Sequence, residues 1–235
     1  MGVAKIDRKG AVGPTRHSGR LLLRLSFSLG ALHLVWACPK LAFAGEPTAT
    51  VLVYNYARVS PAIVTAAERE AGRILDAAGV RIVWVECPMR STSANAKEPC
   101  LRALKSTDIM LRVLPPPAQR GLKADVFGFA ISPILANVYY DDAVRLAVEQ
   151  GYVEFDARII LGSVTAHELG HLLLGSNSHA TAGIMRSPWG QKQVRQALMG
   201  TLLFSAEQAK VMQAQTRART KPQRNGRFRR SRPDS

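Results

Sequence analysis

The stretch from Thr165 to Met185 reads TAHELGHLLLGSNSHATAGIM, in which His167, Glu168 and His171 stand at metal-ligand spacing. On a helix, positions i and i+4 share a face about one turn apart, so the two imidazoles can meet one cation. Glu168 follows the first histidine and would lie close to a water held by that cation. Zinc in such a place acidifies the water, and the carboxylate takes its proton and passes it to a leaving group. Neutral imidazoles favour zinc among the common metals, although the spacing alone admits others. Short patterns of this kind recur by chance, but of the five histidines in the chain three fall within the thirteen residues from His167 to His179. A buried helix with no metal would leave that clustering as an accident.

A third ligand must come from outside the helix. Gly175 can take the left-handed conformation that ends a helix and turns the chain back, which would let His179 approach. After His171 the only carboxylates are Glu207 and Asp234. Glu207 is a formal alternative to His179 as the third ligand, but it opens a later helix where its charge has its own use.

Several elements must position these residues. The run VLVYNY, ending at Tyr56, is β-branched and aromatic and reads as a strand. Pro61 opens a helix whose Ile63, Ala67, Ala71, Ile74 and Leu75 recur near helical period, and Gly79 ends it. Val80 to Glu86 is a second strand, which gives a strand, helix, strand unit with a parallel pair. Asp108 to Leu114 is a third strand, Asp125 to Ile131 a fourth and Asn137 to Tyr140 a short fifth, and a helix follows from Asp141 to Gln150. The motif helix runs from the apolar stretch at Ile159 to Gly175, with Ser163 or Thr165 as its N-cap, and a last helix fits Ser205 to Gln215. The fold class expected is α+β, a mixed sheet with an active-site helix and a largely irregular or helical C-terminal part.

The chain carries 32 Lys and Arg against 17 Asp and Glu, a formal charge of +15. That excess sits at the two ends: residues 1–44 hold seven basic residues and one acid, and residues 217–235 hold eight and one. The 17 basic and 15 acidic residues between them leave the fold nearly neutral, so no specific nucleic-acid partner is expected. The first block reads as a secretory signal peptide, with a basic start, an apolar run from Leu25 to Ala37, and an A-x-A site at Ala42 to Ala44 that places cleavage after Ala44. Cys38 in a lipobox is the alternative there, opposed by the bulky Trp36. Residues 45–216 are then the catalytic-sized domain and residues 217–235 a basic, disordered tail, whose charge could make a weak contact with an anionic surface. In a secreted or periplasmic setting Cys87 and Cys100 are expected to pair and close a polar loop, a link worth on the order of 3 kcal/mol in the loop-entropy model.

With its HExxH motif, a following glycine, His179 and then Gly183-Ile184-Met185, the chain resembles the metzincin clan of zinc metallopeptidases. The resemblance spans roughly Thr50 to Gln215. It implies a Zn2+ ion held by His167, His171 and His179, Glu168 as general base, and Met185 in a methionine turn beneath the metal. One departure stands out: the glycine comes four residues after His171 and His179 eight after it, where the family usually places them at three and six. No tyrosine follows Met185 to serve as a ligand or oxyanion helper, and Trp189 lies where it could wall a pocket or simply pack. The function expected is hydrolysis of peptide bonds in a peptide or protein substrate by a monomeric endopeptidase. The Asp125 to Ile131 strand, with Gly128 allowing close backbone approach, is the candidate edge for an extended substrate. Two other classes share the same residues: a zinc amidase acting on a non-protein amide, and a non-catalytic metal-binding module. The latter has no use for the intact Glu168.

Overall fold

In the computed structural model the described residues are 45–88, 99–116, 127–131, 133–149, 151–152, 154–175 and 178–220. The leader through Ala44 with Cys38, the start of the expected fourth strand at Asp125 and Val126, Asn177, and the tail from Lys221 onward lie outside them.

The strand, helix, strand unit forms as expected. Strand β1 (Thr48–Asn55) leads to helix α1 (Pro61–Ala77), whose first turn uses Pro61 where its missing N–H costs nothing. Gly79, at φ +72°, turns the chain out of α1 with its N–H on the Asp76 carbonyl, and strand β2 (Arg81–Cys87) returns parallel to β1. Strand β3 (Asp108–Leu114) lies parallel on the other side of β1 and has the bounds its sequence predicts. Strands β4 (Gly128–Ile131) and β5 (Leu135–Tyr139) form an antiparallel hairpin, with β5 parallel to β3. The order is β2-β1-β3-β5-β4, a mixed five-stranded sheet with β4 at one edge. Alternate residues of the inner strands, Val51, Val53, Ile109, Leu111 and Val138, join one core with Val64, Ile74 and Leu161 from the helices.

Four helices follow: α2 (Tyr140–Glu149), α3 (Glu154–Leu174), α4 (Gln191–Leu198) and α5 (Ala206–Thr220). Helix α3 starts at Glu154, well before the caps expected at Ser163 or Thr165. Both of those residues are buried in mid-helix. Their small size serves packing instead. At neighbouring Gly162 a Cβ would come within 2.6 Å of the Ala67 carbonyl oxygen, so α1 and α3 cross almost backbone to backbone. Leu161 to Gly170 is buried without a break, the mark of a helix surrounded on every side.

Residues 217–220, expected as the start of a loose tail, form the last turn of α5. One Arg219 Nη donates to the carbonyls of Leu172 (2.9 Å) and Pro133 (2.8 Å), and Ser106 Oγ donates to the Arg219 carbonyl at 2.6 Å. A guanidinium on the free carbonyls at the end of α3 satisfies groups the helix itself leaves unpaired. It also ties that helix to the β4–β5 turn. Cys87 at the end of β2 is disulfide-bonded to Cys100, with their Cα atoms 5.6 Å apart. Among the described residues no helix is long and apolar enough to cross a membrane.

Candidate metal centre

Helix α3 presents His167 and His171 one turn apart, with ring centroids 4.7 Å from each other. Their Nε2 atoms converge to 3.1 Å. Gly175, at φ +96°, ends the helix with its N–H on the His171 carbonyl, and the chain returns His179 to within 4.7 Å of the His171 ring and 5.5 Å of the His167 ring. One ring nitrogen from each of the three lies within 4.8 Å of the others, close enough to hold a single metal ion. The longer turn after His171 therefore still brings His179 round. His167 is buried, His171 half-buried and His179 exposed, so the cluster opens to solvent on the His179 side.

Each of the two helical histidines has a partner on the far side of its ring. His167 Nδ1 lies 2.7 Å from the Ile184 carbonyl, which only accepts, so Nδ1 carries the proton and Nε2 a lone pair. Trp189 Nε1–H donates to the same carbonyl at 3.2 Å, and its ring stands edge-on to His167 at 5.8 Å. Trp189 thus holds the loop that holds His167. His171 Nδ1 meets Ser178 Oγ at 2.7 Å. Burial pushes the pKa of both His167 and His171 down to about 4, with the Ile184 hydrogen bond opposing the shift at His167 and neighbouring imidazoles adding to it. Both rings are neutral near pH 7, the form in which imidazole binds a cation.

Beneath the cluster, Gly183 (φ +73°) turns the chain so that Ile184 N donates to the Leu203 carbonyl at 3.0 Å and Ala180 N to the Met185 carbonyl at 2.9 Å. Met185 is fully buried. A Cβ at Gly170, between the two helical histidines, would come within 2.7 Å of the Met185 sulfur, so the thioether lies directly against the helix backbone. Glu168 is buried, with Oε2 lacking any hydrogen-bond partner, and desolvation raises its pKa to about 8. Its side chain rests against β4: a Cβ on Gly128 would meet Glu168 Cγ at 2.8 Å and Oε1 at 2.9 Å. The glycine expected to admit a substrate backbone admits the glutamate.

Glu207, the alternative third ligand, is exposed in the first turn of α5, where Ser205 Oγ donates to it at 2.8 Å. It does not belong to the cluster. Sequence reading missed Ser178 and gave no role to the Ile184 carbonyl. Its one signal for Ser178 was the position immediately before His179.

Three histidines that could hold a metal ion thus converge on a mixed α/β fold, and their neutral nitrogen donors suit zinc. Among solved structures the chain is similar to a zinc-dependent peptidase from Methanocorpusculum labreanum (14% identity over 69% of this chain and 99% of that one, TM-score 0.48). It is also similar to archaemetzincin from Methanopyrus kandleri (17% identity over 74% and 98%, TM-score 0.46). No family model and no curated protein matches the chain. With likenesses this distant, function rests on the residues of the site.

Proposed function

We propose that this chain is an exported zinc-dependent metallopeptidase of metzincin type, cutting within peptide or protein substrates. The observation that carries this reading is the pairing of two groups on adjacent residues of α3. A ring nitrogen of His167 lies within 4.8 Å of one from each of two other histidines, and the Glu168 carboxyl is buried with an oxygen left unpartnered. An unpaired buried carboxyl is costly, and such groups gather where a reaction uses them.

His167, His171 and His179 would hold the ion, which when bound supplies a Lewis acid that polarises the scissile carbonyl and makes water a stronger nucleophile. Glu168 accepts the proton of the attacking water and returns it to the departing amine. Strand β4 ends the sheet order and lies against Glu168, so an extended peptide can add along it by main-chain hydrogen bonds. That edge favours a peptide over a small amide. Met185 and Trp189 keep the floor of the site in place. The remaining parts of the reading are export through the leader with cleavage after Ala44, action as a monomer outside the cytoplasm, and a basic terminal segment in weak contact with anionic surfaces. Each extends what the sequence alone predicts.

The test is digestion of a diverse peptide library by the zinc-loaded protein and by Glu168→Ala of equal zinc content. Cleavage by the first alone supports a peptidase with Glu168 as base. Zinc binding with no cleavage by either would replace this reading with an amidase or a binding module.

A further inference from the structure

The two helical histidines have different kinds of partner behind them. His167 faces a main-chain carbonyl, which can only accept, and its tautomer is fixed. His171 faces a hydroxyl, Ser178 Oγ, at 2.7 Å, and a hydroxyl can donate or accept. Between the rings lies a 3.1 Å separation of Nε2 atoms. The His167 Nε2 brings a lone pair to that gap. Two lone pairs at this distance repel, so the His171 Nε2 must bring a proton unless a cation lies between them.

We propose that Ser178 is the positioning residue of His171, a hydroxyl that reverses its hydrogen bond when zinc binds. With zinc bound, the His171 Nδ1–H donates to Ser178 Oγ, and Nε2 offers its lone pair to the metal. With zinc removed by a chelator, Ser178 Oγ–H donates to Nδ1, and the proton now on Nε2 bridges to His167. The ring keeps its place and its neutral charge in both states, and the proton moves from one of its nitrogens to the other. A carbonyl in place of Ser178 would fix one tautomer only and leave a repulsive pair whenever zinc departs. The placement is local and depends on the turn: Ser178 directly precedes His179, so the eight-residue step from His171 to His179 ties two ligands together by one side chain. At metal sites, removing such an outer partner of a ligating histidine lowers affinity by about 10- to 100-fold.

This inference rests on the zinc reading, and the experiment separates the two. Zinc dissociation constants are measured by competition with a chelator for the full protein and for Ser178→Ala and Ser178→Thr. Ring tautomers are read from long-range proton–nitrogen NMR of the chelated and zinc-loaded protein. The expected result is a loss of about 10- to 100-fold for Ser178→Ala and recovery of most of it in Ser178→Thr. His171 should be protonated at Nε2 when chelated and at Nδ1 when zinc-loaded, with His167 protonated at Nδ1 in both. Tight zinc binding by the unmodified protein with equal affinity in Ser178→Ala, or one His171 tautomer in both states, overturns the role of Ser178 and leaves the zinc site standing. Failure of the unmodified protein to bind zinc overturns both.

Discussion

Among the described residues two glutamates are buried, and they share more than their burial. Glu68 on α1 and Glu168 on α3 each have one carboxyl oxygen without a hydrogen-bond partner, and desolvation raises both pKa values, to about 7 and about 8. Their surroundings differ. Glu68 borders a small cavity walled by Val53, Val64, Leu111, Val113 and Leu161, with Thr165 the other polar residue of that lining, and the charge of Glu86 adds to the upward shift. Glu168 follows His167 of the histidine cluster in α3 and rests against the edge strand of the sheet. A buried, unpaired carboxyl is therefore not a site by itself. The neighbouring imidazoles that could hold a metal ion and the backbone that could align a substrate make it one.

The sharpest way to break this comparison is to replace the two carboxyls in turn. Glu168→Gln keeps the shape of the side chain and removes the base, and peptide hydrolysis should fall by about 10²- to 10⁴-fold with zinc content unchanged. Glu68→Gln should leave the turnover number within about twofold, because nothing near Glu68 reacts. Steady-state kinetics of the two variants with metal analysis of each would decide it. Loss of turnover in Glu68→Gln at full zinc occupancy would erase the distinction.

The second test turns on pH. A carboxyl whose folded pKa lies above its unfolded value of about 4.5 stabilises the fold below that value, and the contribution is lost as pH rises through the folded pKa. For Glu68 the window runs from about 4.5 to about 7, and at 1.36 kcal/mol per unit the swing is roughly 3 kcal/mol. Urea unfolding of the protein and of Glu68→Gln at pH 4.5 and pH 8 should show the glutamine variant gaining on the parent by that amount as pH rises. Glu168 is present in both proteins, so its own titration cancels. A difference that stays flat with pH would mean that Glu68 keeps a partner or water that stabilises its charge.

How much of this could be read from the chain alone divides along a physical line. Features set by neighbours in sequence were legible: β1, β2 and β3 by their apolar and β-branched runs, α1 by Pro61 and Gly79, and the histidine cluster by its spacing. Features set by distant contacts were not. The start of α3 was hidden because a helix buried all round has no polar face to give it a period, and its small residues looked like caps. Helix α4 was missed because its eight residues bury only Gln193, Val194 and Ala197, too few to show a repeat. The end of α5 was read as tail because Arg217 and Arg219 continue a basic run, while the carbonyls that hold Arg219 belong to Pro133 and Leu172. Glu68 drew no notice for the same reason. Its meaning lies in residues from β1, β3 and α3 that the sequence scatters.

The smallest expected effect bears on what Glu168 has and Glu68 lacks, a strand backbone against its side chain. Alanine at Gly128 would put a Cβ within 2.5 Å of the Asn137 carbonyl oxygen and 2.8 Å of Glu168 Cγ. The Asn137 oxygen belongs to β5, inside the sheet, and cannot yield. Strand β4 can, because it has four residues and lies at the edge. Relief therefore comes from β4 moving outward or Glu168 turning away, at a cost of about 1–3 kcal/mol for overpacking. Either response disturbs the carboxyl and the strand together and spares the histidines, which hang from Ile184 and Ser178 instead. Gly128→Ala should thus bind zinc as the parent does, melt a few degrees lower, and cut peptides about tenfold more slowly at a working barrier change near 1.4 kcal/mol. If zinc affinity fell as well, the strand and the metal cluster would be one mechanical unit. If activity held while stability fell, Glu168 would not depend on the strand beside it, and its difference from Glu68 would reduce to the imidazoles alone.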